Sequence, residues 1–181
     1  MKIKALKYFT IVLAMLFTTH ALAASAAKID RAANQALRDF REHVDGGQVF
    51  LDQAAGYLIF PKVHKVGIGV GGETGEGALR VGGTTAAYYR TTSGSIGFQL
   101  GAQAKSIVIA FMTRDALQKF RESEGWKVGV DGSVALIDIG AGKTIDSQNI
   151  KDPVVGFIFG SKGLMYNLTL EGTKFTKLDK N

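Results

Sequence analysis

The sequence predicts an α+β fold: a single domain in which a glycine-rich, largely antiparallel β-sheet carries N-terminal helices and one further helix at about residues 113–123. Three observations lead there. The apolar residues change their spacing from three- and four-residue steps before Gly56 to alternation and short continuous runs after it, interrupted by one further helical stretch. The chain holds 23 glycines but only two prolines, a balance that suits strands, tight turns and close backbone approaches. No linker, low-complexity segment or fixed-period repeat divides it, so helices and strands must share one core.

The first 23 residues stand apart. Lys2, Lys4 and Lys7 precede an apolar run from Tyr8 to Phe17, and small residues ending in Ala21-Leu22-Ala23 follow. This order is that of a secretory signal peptide cut after Ala23. The run is shorter than the roughly 20 residues of a membrane span, and no cysteine is present to carry a lipid at the cut. The expectation is an exported protein, periplasmic or secreted.

Removing 23 of 181 residues leaves 158, enough for one domain over residues 24–181 with a sizeable core. The formal charge is +6, but three of the 22 basic residues lie in the leader, so 19 face 16 acids and the balance falls to +3. That is too mild for a nucleic-acid partner. The absence of cysteine removes disulfides and Cys-type zinc sites.

From Ala27 to Val44, Ile29, Leu37, Phe40 and Val44 recur at helical spacing, with Ala33 and Ala36 in the same stripe. Gly46-Gly47 ends that helix, and "QVFLDQAAG" gives a short second one with Gly56 as its stop. The strand-like runs follow: "YLIFP", "KVGIGVGG", "GALRVGG", "TAAYYR", "GSIGFQLGAQA" and "SIVIAFM", then "WKVGV", "SVALIDIG", "VVGFIFG", "LMYNLTL" and "TKFTKL". The helix between the two groups has Thr113 as N-cap and Asp115 in its first turn, where the dipole favours an acid. It turns Ala116, Leu117 and Phe120 inward and closes at Gly125.

Phosphate-loop patterns are present but lack their context. Gly67, Gly69 and Gly72 have G-x-G-x-x-G spacing, yet no helix follows, and Glu73 and Glu76 would repel a phosphate. The alternation of Val66, Ile68 and Val70 with glycine reads instead as a strand with one bare face against which something packs. "IGAGKT" at residues 139–144 has Ile137 where the phosphate loop needs glycine, and reads as a turn. No nucleotide and no cofactor is expected.

Catalytic and metal patterns are equally thin. No G-x-S-x-G elbow occurs. His43 and His64, 21 residues apart, make a poor metal site without cysteine and read as surface histidines. Asp131, Asp138, Asp146 and Glu171 are scattered, with no spacing that marks an acid/base pair. The sequon at Asn167 falls in a strand-like run and reads as incidental. In the first helix Lys28, Arg31, Arg38 and Arg41 are balanced by Asp30, Asp39, Glu42 and Asp45, which denies it the charge that draws interfacial helices to anionic lipid. The expectation is a protein that is not an enzyme and binds no metal.

Four runs taken in order, "GYLIFPKVHKVGIGVGG", "GSIGFQLGAQAKSIVIAFMT", "KFRESEGWKVGVDGSVA" and "PVVGFIFGSKGLMYNLTLEGTKF", resemble the SYLF domain family over nearly all of the chain after the leader. Eukaryotic members of that family sit beside SH3 or FYVE modules and bind phosphoinositides and actin. This chain has no such module and carries an export signal, so the resemblance implies phospholipid binding by the domain itself, at the cell envelope. It implies anionic headgroups meeting Lys62, His64 and Lys65 of "FPKVHKVG" and Lys105 of "GAQAKS". The alternative is an envelope structural or interaction module that takes a protein partner along a sheet edge.

Overall fold

The computed structural model of the protein describes residues 24–68, 70–96, 105–137, 151–160, 163–164 and 169–180. The expected leader over residues 1–23, the expected turn over 139–144, Asn167 and most of "GSIGFQLGAQA" lie outside the described residues, as does the side chain of Lys65.

Helix α1 (Ala26–His43) opens at Ser25, whose hydroxyl accepts from the Lys28 amide, and it buries Ile29, Ala33, Ala36, Leu37 and Phe40. Gly46, at φ 80, makes the left-handed turn into α2 (Gly47–Gln53), which buries Phe50 and Leu51. The second helix ends before its expected stop. Ala54 caps α2, and Gly56 is instead the first residue of a strand, where a Cβ would lie 3.0 Å from the Arg80 carbonyl oxygen.

The strands are β1 (Gly56–Ile68), β2 (Val70–Val81), β3 (Thr84–Ile96) and β4 (Lys105–Phe111), then β5 (Trp126–Lys127), β6 (Ala135–Leu136), β7 (Val154–Gly160), β8 (Gly163–Leu164) and β9 (Lys174–Leu178). Helix α3 (Arg114–Glu122) separates β4 from β5. Among the described residues they form one sheet in the order β5-β9-β3-β2-β1-β4-β7-β6, with β8 paired to β7. Every pairing is antiparallel except β6 with β7, so the predicted class holds.

Both faces of this sheet are covered. On one, α1 and α2 bury Phe40 and Phe50 against Ile59, Val108, Ala110, Val155, Phe157 and Phe159. Phe157 meets both helical rings edge-on at centroid distances of 5.1 Å. On the other face α3 and Trp126 close over Leu58, Phe60, Ile107, Ile109, Phe111 and Phe175. Central β4 therefore alternates between two cores, which is why "SIVIAF" shows no polar alternation. Burying Ile29, Leu37, Phe40 and Val44 of the first helical segment contributes on the order of 6 to 12 kcal/mol gross.

Two strand readings are corrected. Pro61 does not end a strand: β1 runs through it on a bulge between Phe60 and Val63, which turns both of these residues into the same core. Nor is "KVGIGVGG" one strand, because β1 ends at Ile68 and β2 begins at Val70, with Gly67 opposite Gly71. Local alternation is the same in one strand as in two strands of a hairpin, so the period could not show the reversal. The close approach expected beside these glycines occurs further along β2. A Cβ on Gly75 would lie 2.6 Å from the Lys62 carbonyl oxygen, and one on Gly77 would collide with the Ile59 carbonyl.

Helix α3 follows its predicted start closely. The Thr113 hydroxyl accepts from the Ala116 amide at 3.2 Å, and Leu117 and Phe120 are buried. Its end, at a Ser123 cap, agrees with the predicted span of about 113–123 and falls two residues before Gly125. No helix among the described residues is long and apolar enough to cross a membrane.

Candidate functional site

The bulge at Pro61 determines where the predicted cations point. Lys62 and His64, two residues apart on β1, are both exposed on the α1 face of the sheet. Opposite His64 on β2 stands Thr74, and two residues on Glu76 stands opposite Arg90 of β3. The first two turns of α1 add Lys28, Ile29 and Ala32. Together they line a groove of about 750 Å³, with Ala24, Ile29, Ala32 and Pro61 as its apolar lining residues.

Glu76 organises this groove. Its carboxylate accepts from Arg90 Nη2 at 2.8 Å, from Lys180 Nζ at 3.2 Å and from the Ala24 amide at 3.1 Å. Burial pushes the carboxyl up, but the Arg90 and Lys180 hydrogen bonds, the Lys180 charge and the Ala24 amide outweigh it and hold it below its ordinary value. Glu76 thus occupies Arg90 and Lys180 and leaves Lys28, Lys62 and His64 as the groove's unpaired basic groups among the described residues.

A second polar network fastens α1 to the strands. Asp30 accepts from Thr85 Oγ1 at 2.7 Å and Tyr88 OH at 2.8 Å, and lies 3.3 Å from the Arg80 guanidinium. Burial and the bond to Asp30 push the Tyr88 phenol up, so it remains a donor. Arg80 also donates to Asn34 at 2.9 Å.

The four predicted positions do not come together. Lys105 is 11% exposed and holds Glu73 at 2.5 Å. Glu73 precedes Thr74 along β2, so this pair lies on the face away from Lys62 and His64. Any headgroup at Lys105 would compete with a carboxylate already in contact. Lys65 stands opposite Glu73 in the backbone register.

The face that carries α3 holds a second groove, of about 740 Å³, which the sequence reading missed. Arg114, Gln118, Arg121 and Glu122 of α3 line it with Val81, Ala87, Tyr89 and Lys177 of the strands. Burial pushes the Tyr89 phenol up while the Arg121 charge opposes it. The seven-residue step from Arg114 to Arg121 was visible in the sequence, since it places both on one side of a helix. The arrival of Lys177 was not, because it depends on pairing β9 with β3.

Comparison with known proteins adds a family. Residues 92–181 match the family model Ysc84, described as "Las17-binding protein actin regulator". No curated protein matches the chain. The matched segment contains β4, α3, β7 and β9, hence Lys105 and most of the second groove, while Lys62 and His64 precede it. The match agrees with the motifs quoted from this half of the sequence, and the chain belongs to the SYLF domain family, a family of lipid- and protein-binding domains.

Proposed function

We propose that the protein is a non-catalytic phospholipid-binding protein of the cell envelope, exported to the periplasm or the exterior, which meets anionic headgroups through the groove beside α1. The observation that carries this reading is the composition of that groove. Lys28, Lys62 and His64 are exposed around a concave surface with Ile29, Ala32 and Pro61 on its walls, an arrangement suited to a phosphate head joined to an apolar body. Membership of a binding-domain family supports it. Each lysine near an anionic surface contributes about 1 kcal/mol, so removing two weakens binding by roughly thirtyfold.

Sedimentation with anionic and zwitterionic vesicles tests the reading. The protein should pellet with the anionic ones, and Lys28→Gln/Lys62→Gln should lose most of that binding. Failure to pellet with either vesicle, with no lipid extractable from the purified protein, would abandon it. The family description favours a second reading, a protein partner of the Las17 or actin-regulator type, and affinity capture from the source organism would then be the route to it.

A further inference from the structure

We propose that the groove under α3 is a separate binding site for a small phosphorylated anion. Three cations, Arg114, Arg121 and Lys177, line it against one acid, Glu122. None of the three cations is ion-paired with a described residue. Glu122 already accepts a hydrogen bond from Gln118 Nε2 at 2.7 Å. Like charges around a concave surface raise one another's energy, and an anion relieves that repulsion.

The placement of the arginines strengthens the case. They are seven residues apart on α3, two turns, so they share one side of the helix about 10 Å apart along its axis. Arg114 lies in the first turn, where the helix dipole disfavours a cation. From the sheet, Lys177 stands opposite Tyr89 in the β3–β9 register and adds a third cation to the lining. Planar guanidinium forks bind phosphoryl oxygens two at a time, which a lone ammonium cannot do.

Space for the ligand comes from small residues. Ala55, Ala86 and Ala87 line the groove, where larger side chains would have filled it. Tyr89, buried beside Arg121, keeps its proton and adds a neutral donor. This lining is more polar than that of the α1 groove, and the two grooves lie on opposite faces of the sheet. The inference therefore stands apart from the lipid reading, and either can fail alone.

Calorimetric titration of the purified protein with inorganic pyrophosphate, alongside sedimentation with anionic vesicles, tests it. Pyrophosphate should give saturable heat. Arg114→Gln/Arg121→Gln should weaken binding at least about tenfold, since two charge-assisted, fork-shaped donors are lost together. Ala87→Leu, which fills the floor without changing charge, should weaken it too, while Lys28→Gln/Lys62→Gln should leave it unchanged. If pyrophosphate gives no heat but the double arginine variant alone loses vesicle binding, the phosphate belongs to a lipid headgroup at this same site. An absence of binding in both experiments, or pyrophosphate binding that survives both Arg114→Gln/Arg121→Gln and Ala87→Leu, overturns the proposal.

Discussion

Replacing Glu76 by glutamine separates two roles that its carboxylate plays at once. The side chain is 16% exposed and holds Arg90, Lys180 and the Ala24 amide. Arg90 is 44% exposed, so its pair is screened and contributes little, at most about 1 kcal/mol. Lys180 is 9% exposed and loses its counter-charge in the variant, which costs roughly 1 to 3 kcal/mol. The Lys180 contact dominates, and Glu76→Gln should destabilise the fold by about 2 kcal/mol in urea unfolding. Because the folded carboxyl titrates below its ordinary value of 4.5, its contribution is fully present above that pH and is lost as pH falls below it. The gap between wild type and variant should therefore close in acid. At the same time the groove loses the only acid among its described lining residues, so binding to anionic vesicles at neutral pH should tighten about fivefold, the equivalent of one unit charge near the surface. Unchanged stability at pH 7, a gap that persists undiminished at pH 3, or weaker vesicle binding by a folded variant would each refute this reasoning.

Two further outcomes are expected. Gly77→Ala should destabilise by about 1 to 3 kcal/mol in the same unfolding assay, because a Cβ there strikes the Ile59 carbonyl and comes within 2.6 Å of the Phe60 ring; a neutral result would show that the β1 bulge yields easily. In an exporting host, intact-mass measurement should find the chain beginning after Ala23, and retention of residues 1–23 would remove the export reading.

Much of the fold was legible because local spacing and burial agree. The α1 stripe, the Thr113 cap and the continuous apolar runs of β4 and β7 each carry their environment in their own residues: a helix with one buried side, a satisfied first turn, strands with cores on both faces. The expectation of export and the expectation that no dinucleotide is bound rest on sequence alone, through the order of residues 1–23 and the acids after Gly72. Tertiary structure decided what depends on partners distant along the chain. The passage of β1 through Pro61 requires a bulge accommodated by Gly75 and Gly77 of another strand. Lys62 and Lys105, equivalent as basic residues near strand ends, differ because one lines an open groove and the other meets Glu73 on the opposite face. Lys177 joins Arg114 and Arg121 only through the pairing of β9 with β3. The physical reason is the same in each case: spacing along the chain shows which side of an element a residue takes, but only packing shows which charges and which empty space that side meets.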